Sequence, residues 1–284
     1  ALLLDGVRLY AFGGNHSWSP HDFSKEAFSN EAFVFDISKQ SGERIPNLPF
    51  PVQSGSAVLN KQTSEHEKIV IAGGMNFGEG KFESIDSVLE FDPESKTWVV
   101  NEQTLPESRA MAHAVEYDDA IWVFGGSNAG LQSQLRSSVL HWWGDHTDIA
   151  ALANVEVPHP RRSFGGVVVD GEYFMIGGLG QGMSIESAVD VFDFENRSWR
   201  QVAAPTAPRV FPMVAHAGGK IYLFGGFSNQ GGHFNECATL EAYDIENDSW
   251  STVTDSIDGV DASMRMFNFN DRLLFFGIDR EYTH

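Results

Sequence analysis

An all-β protein built from one repeated unit is what this sequence predicts, and three observations carry the prediction. A Gly-Gly pair closes a short hydrophobic run five times, at Gly13-Gly14, Gly73-Gly74, Gly125-Gly126, Gly177-Gly178 and Gly225-Gly226, with a worn copy at Phe276-Gly277-Ile278. An aromatic-Asp pair then precedes a Trp at fixed spacing, as in Phe91-Asp92 to Trp98, Phe192-Asp193 to Trp199 and Tyr243-Asp244 to Trp250. Finally, no long run shows helical spacing. The first glycines stand at 13, 73, 125, 177, 225 and 277, a beat of about fifty residues that marks a stacked or circular array.

Each landmark specifies a hairpin. Between the aromatic-Asp pair and the Trp lie Pro93-Glu94-Ser95-Lys96, Phe194-Glu195-Asn196-Arg197 and Ile245-Glu246-Asn247-Asp248, segments rich in turn-forming residues. Upstream of the glycines, apolar runs are joined by Asp118-Asp119, Asp170-Gly171 and Gly218-Gly219, pairs suited to tight two-residue turns. Two hairpins per unit make four strands. No unit of about fifty residues buries its own apolar face, so one cooperative domain over 1–284 is expected.

These marks resemble the kelch repeat and cover essentially the whole chain. The resemblance implies a six-bladed kelch-type β-propeller, one four-stranded blade per unit, with the last blade incomplete. Its blades are expected at about 1–49, 50–105, 106–158, 159–204, 205–256 and 257–284 (partial). Three departures stand out. The first unit has Phe35-Asp36 but Gly42 where the Trp belongs; the third has His141-Trp142-Trp143; the last ends soon after Gly277. Trimming of a longer protein is the expectation that accounts for the short last unit, since propellers of this kind usually pair strands from both termini and so remove free edges.

Bulk properties narrow the partners. A net charge of -20, from 39 acidic and 19 basic residues, argues against nucleic acid and anionic membrane surfaces and fits solubility or a basic partner. The single Cys237 excludes an internal disulfide framework. Ala1-Leu2-Leu3-Leu4 is too short for a membrane span and lacks a basic leader, which leaves exported and cytoplasmic locations both compatible. A monomer is expected.

The resemblance places ligands on a face made by two loop sets, one after each Gly-Gly and one between blades. The first set carries His16, Trp18, Asn76, Asn128, Gln181, Phe227 and Asn229; the second carries Arg109, Arg161, Arg162 and Arg209. Arg109, Arg161 and Arg209 each lie sixteen residues before their glycine, so a partial ring of guanidinium groups is expected near one mouth of the channel. Such a ring suits a carboxylate-bearing ligand. Ordinary repeat architecture, with each Arg bonding loop carbonyls or a nearby carboxylate, is the competing account. Histidines share no register (His113 and His216 sit twelve and nine before their glycines), and no short metal-binding spacing occurs, so neither a metal nor another cofactor is expected. Cys237 has no indicated Tyr partner, which separates the chain from the family's copper oxidase.

Two functions follow. The first is a recognition module binding a peptide, protein or glycan on the loop face. The alternative is a carbohydrate-active enzyme similar to kelch-type sialic-acid mutarotases or sugar oxidases and lyases, with an Arg holding a sugar carboxylate and His16 or His216 moving the proton.

Overall fold

The computed structural model describes residues 1–17, 22–61, 67–78, 80–128, 136–143, 146–230, 233–261 and 264–277. It divides into two compact units, Ala1–Arg162 and Ser163–His284. Among the described residues the regular structure is strand, apart from two 3-10 turns at Lys25–Ala27 and Gln181–Met183.

The first unit holds three antiparallel sheets of four strands. Sheet 1 runs Leu2–Asp5, Arg8–Asn15, Phe28–Asp36, Ser41–Ile45. Sheet 2 has the spatial order Ser56–Asn60, Lys68–Ala72, Val88–Asp92, Thr97–Val100, and sheet 3 runs His113–Tyr117, Ala120–Phe124, Arg136–Trp143, His146–Glu156. The second unit holds sheet 4 (Gly165–Val169, Glu172–Ile176, Val189–Asp193, Ser198–Val202) and sheet 5 (Met213–Ala217, Lys220–Phe224, Leu240–Asp244, Ser249–Thr254). A pair, Arg265–Phe269 with Arg272–Phe276, follows. The first and third repeats thus complete their sheets without the expected Trp. Gly42 pairs with Phe35 at the register where Trp98 pairs with Phe91, so strand pairing does not depend on the indole.

Turn chemistry explains both hairpins. At Asp118-Asp119, Asp170-Gly171, Gly218-Gly219 and Asn270-Asp271 both central residues have positive φ, between 48° and 80°. This is the mirror-image turn whose twist matches the flanking strands. In the second hairpin the motif aspartate caps the turn: Asp92 Oδ1 accepts from the Glu94 and Ser95 N–H groups, Asp193 Oδ1 from Asn196, and Asp244 Oδ1 from Asn247. Those bonds favour the ionised carboxyl, and backbone hydrogen bonding is the leading cause that holds Asp193 and Asp244 below the usual carboxylate range. The aromatic before the Asp meets the Trp across the strands, with ring centroids 4.8 Å apart for Phe91–Trp98, 5.0 Å for Phe192–Trp199 and 5.2 Å for Tyr243–Trp250. Each such pair contributes about 0.5–1.5 kcal/mol beyond simple burial.

Within each unit the core lies between successive sheets, and the period-two rule explains the unbroken apolar runs. Along Lys68–Ala72, Ile69 and Ile71 join the cluster shared with Tyr10 and Phe12 of sheet 1, while Val70 and Ala72 join the cluster shared with Ile121 and Val123 of sheet 3. A strand covered on both faces needs apolar residues at every position. In the second unit Phe174 and Val191 pack on Ile221, Leu223 and Tyr243.

Candidate functional site

A repeated latch organises the loops at the Gly-Gly end of the sheets. The second glycine of one repeat donates its N–H to a carbonyl of the next: Gly14 to Val52 (2.8 Å), Gly74 to Arg109 (2.6 Å), Gly126 to Arg161 (2.9 Å) and Gly178 to Arg209 (2.9 Å). The first glycine lies beneath the same carbonyl. A Cβ at Gly73 would stand 2.2 Å from the Arg109 oxygen, and one at Gly177 2.4 Å from the Arg209 oxygen, both at φ above +60°. Glycine is the residue that meets both demands.

This latch corrects the expected guanidinium ring. Arg109 is 1% exposed, while Arg161 and Arg209 are 0% exposed. Arg109 Nη1 donates to the Gly125 carbonyl at 2.8 Å. Arg209 donates through Nε to the Ala207 carbonyl and through Nη1 to the Thr239 carbonyl, both at 3.0 Å, and its Nη2 pairs with the buried carboxylate of Glu241. The other Glu241 oxygen accepts from the Thr206 N–H at 2.8 Å. Arg162 is also buried. Desolvation pushes Arg109 down to about 10 and lowers Arg162, which still leaves Arg109 charged at neutral pH. The repeated Arg therefore sits behind the loops, not on their open face. Its shared register was legible in the sequence, whereas burial depends on the loops folding over it.

A second repeated feature went unread. Ser54, Met111, Ser163 and Phe211 each stand two residues after the latch carbonyl, and all have φ of 56–57°. Non-glycine residues held there carry strain of about 1 kcal/mol or more each, which persists only where the surroundings over-determine the backbone. Here hydrogen bonds do so: the Met111 N–H donates to the Ser54 carbonyl (3.0 Å) and the Phe211 N–H to the Ser163 carbonyl (2.7 Å). The signal available in the sequence was the constant offset from the Arg.

The loops after the glycines differ in exposure. His16 is exposed, while its N–H donates to the Ala27 carbonyl; Trp18 lies outside the described residues. Asn76 is half-buried, its Oδ1 accepting from the Phe77 N–H, and Asn128 is half-buried too. Gln181 is exposed on its 3-10 turn beside Met183, which is 58% exposed. In the fifth unit the loop becomes a hairpin, Phe227–Gln230 with His233–Glu236, paired Phe227↔Glu236 and Asn229↔Phe234. That register sets Phe227, Asn229, Phe234 and Glu236 on one face. Phe211 adjoins it, because Val210 bridges to Phe227. Phe211 and Phe234 are each 49% exposed and Phe227 37%.

His113 and His216 lie on strands. His113 is half-buried on sheet 3, where burial pushes its imidazole down to about 4; His216 lies on sheet 5 and its carbonyl accepts from Asn268. Cys237 is buried, its N–H bonded to the Gly226 carbonyl. Among the described residues no helix is long and apolar enough to cross a membrane.

Comparison with known proteins agrees with this architecture. The family model for the KLHDC2/KLHL20/DRC7 Kelch-repeats domain matches residues 1–209, and the Kelch motif matches residues 208–256. Kelch-like protein 25 of Xenopus tropicalis is 26% identical over 255 residues, covering 88% of this chain and 39% of that protein; the Homo sapiens protein is 25% identical over the same share. Beta-scruin of Limulus polyphemus is 22% identical over 82% of the chain and 25% of its own length. The chain thus spans about two fifths of the Kelch-like proteins it matches. The solved structure of YjhT superposes with a TM-score of 0.78 at 12% identity, over 97% of this chain and 88% of that one. With a kelch model matched across most of its length, a solved structure sharing its fold and glycine latches repeated from sheet to sheet, the chain is an all-β propeller belonging to the kelch-repeat family.

Proposed function

We propose that this protein is a recognition propeller that binds a partner protein or peptide on the loops following the Gly-Gly pairs. The observation carrying this reading is the group of open apolar side chains on the second unit's loops: Met183, Phe211, Phe227 and Phe234. Exposed aromatics rimmed by polar groups, here Gln181 and Asn229, are what a protein interface uses as anchors. Arg209 acts as a positioning residue in this reading, because it holds the loop that carries Phe211. A sugar-acid enzyme would need an arginine open to its ligand, whereas Arg109 and Arg209 are buried and Arg209 donates to two carbonyls and to Glu241. Five complete sheets and the opening pair Arg265–Phe269/Arg272–Phe276 support a count of six blades within one domain.

A peptide-display selection against the chain tests the reading. Enriched peptides are expected to lose at least about tenfold in affinity for Phe211→Ala/Phe234→Ala, with the thermal midpoint unchanged, since buried aromatic anchors carry most of such binding. Equal affinity for the variant, or no enrichment at all, rejects it.

A further inference from the structure

We propose that the groove between sheets 1 and 2, at the end of the strands opposite the Gly-Gly loops, binds a small organic anion with a flat apolar body. The inference rests on a cleft of ≈ 460 Å³ bordered by Arg8, Lys39 and Lys96. It is independent of the loop-face function.

The cleft exists because three closing groups are absent at once. Between sheets 4 and 5, Asp248 Oδ1 accepts from the Ala203 N–H and from the Tyr243 hydroxyl, both at 2.7 Å, while Trp250 Nε1 donates to the Ala203 carbonyl at 2.8 Å. The same repeat positions in sheets 1 and 2 hold Pro46, Phe91 and Lys96. Proline has no N–H, phenylalanine no hydroxyl and lysine no acceptor, so only the indole bond survives, from Trp98 Nε1 to the Pro46 carbonyl at 2.8 Å.

What remains has a definite chemistry. Val34 lines the apolar wall half-buried, backed by the buried side chains of Tyr10, Ile45 and Phe91. Arg8 is exposed, and its hydrogen bond with Tyr10, the leading cause, raises its pKa with support from Asp5 and Asp36. Lys39 lies 3.0 Å from Asp36 and Lys96 3.0 Å from Glu43, but both lysines are more than half exposed and free to swing towards a ligand. The rim is therefore net +1, whereas the matched set Glu172, Asp193, Asn196, Arg200 and Asp248 is net -2. In a chain of net charge -20 this is a local reversal of sign. The volume falls within the range of about 300–1,000 Å³ typical of small-molecule sites, which pair an apolar wall with a few polar groups. A planar carboxylate would lay its ring along Val34, over the edge of Ile45, and its charge against Arg8 and Lys96.

Calorimetric titration and saturation-transfer NMR with 1-naphthoate test this, with 1-naphthamide as the neutral match and inorganic phosphate as the anion without a body. Naphthoate is expected to bind with Kd below about 1 mM, naphthamide and phosphate each at least about tenfold more weakly, about 1.4 kcal/mol. Arg8→Gln should cost a similar factor. Pro46→Ala/Phe91→Tyr/Lys96→Asp, which rebuilds the closure of the other groove, should abolish binding while leaving the fold at least as stable. Naphthamide binding as well as naphthoate, unchanged affinity in the triple variant, or absence of saturable naphthoate binding overturns the proposal.

Discussion

The grooves between sheets 1 and 2 and between sheets 4 and 5 share an aromatic floor and differ at the rim. Phe91 packs on Trp98 in one and Tyr243 on Trp250 in the other, at 4.8 and 5.2 Å. Yet one groove is closed by a carboxylate with two donors, and the other is left open with cations around it. Core packing thus builds both interfaces, while a few hydrogen-bonding groups at their edge decide whether a cleft exists. The second unit carries this polar sealing further, with the loop residue Arg209 paired to Glu241 of sheet 5, both buried.

The largest effect expected from breaking that seal is at the buried pair. Glu241→Ala leaves the Arg209 charge without its carboxylate and should cost about 3–5 kcal/mol, whereas Arg209→Met/Glu241→Leu should recover most of the loss. Denaturant titration decides it, and a single-variant cost under about 1 kcal/mol would contradict a sealed pair.

Acid separates the units next. His113, in the first unit, has a folded pKa of about 4 against 6.5 unfolded, so the neutral form is favoured by folding. Its contribution is complete above pH 6.5 and is lost as pH falls towards 4, at most about 3 kcal/mol for the shift. The capping carboxylates Asp193 and Asp244 of the second unit have lowered pKa values, so their contribution fades only as pH falls below the ordinary aspartate pKa of 3.8. Hydrogen exchange at pH 7 and pH 5 should show protection falling first in sheet 3. His113→Phe should flatten that difference, and an unchanged profile in the variant would assign the acid sensitivity elsewhere.

A smaller contrast tests the rim directly. Tyr243→Phe removes the hydroxyl that Asp248 accepts and should cost about 1 kcal/mol, while Phe91→Tyr in the open groove should change stability by less than half of that. Equal effects at both positions would mean that the two rims do not differ in the way described. Smallest of all are the surface pairs Arg200–Glu172 and Lys96–Glu43, exposed at 47%/28% and 51%/62%. Arg200→Ala and Lys96→Ala should each cost under about 1 kcal/mol and become silent at high salt in the same denaturant titration.

Much of this architecture was open to reading from residue order. The positive-φ pairs Asp118-Asp119 and Gly218-Gly219, the capping role of Asp92 and Asp193 and the cross-strand match of Phe91 with Trp98 all lie within one hairpin, so a short window contains every partner. The loop-face arginines were different. Their spacing was visible, but the partners that bury Arg209, Thr239 and Glu241, come from 30 and 32 residues downstream. Phe211 at positive φ and the cleft beside Phe91 were likewise out of view, since each depends on a second chain segment arriving from another repeat.

Sequence alone determined the repeat, its hairpins and the all-β class, because strand period, turn backbone and Asp capping are local properties of a few adjacent residues. Tertiary structure alone decided which polar groups face water. Repeats with the same spacing meet different neighbours, and whether a carboxylate, a proline or a lysine stands at the meeting edge settles whether a charge is buried, latched or left at the rim of an open groove.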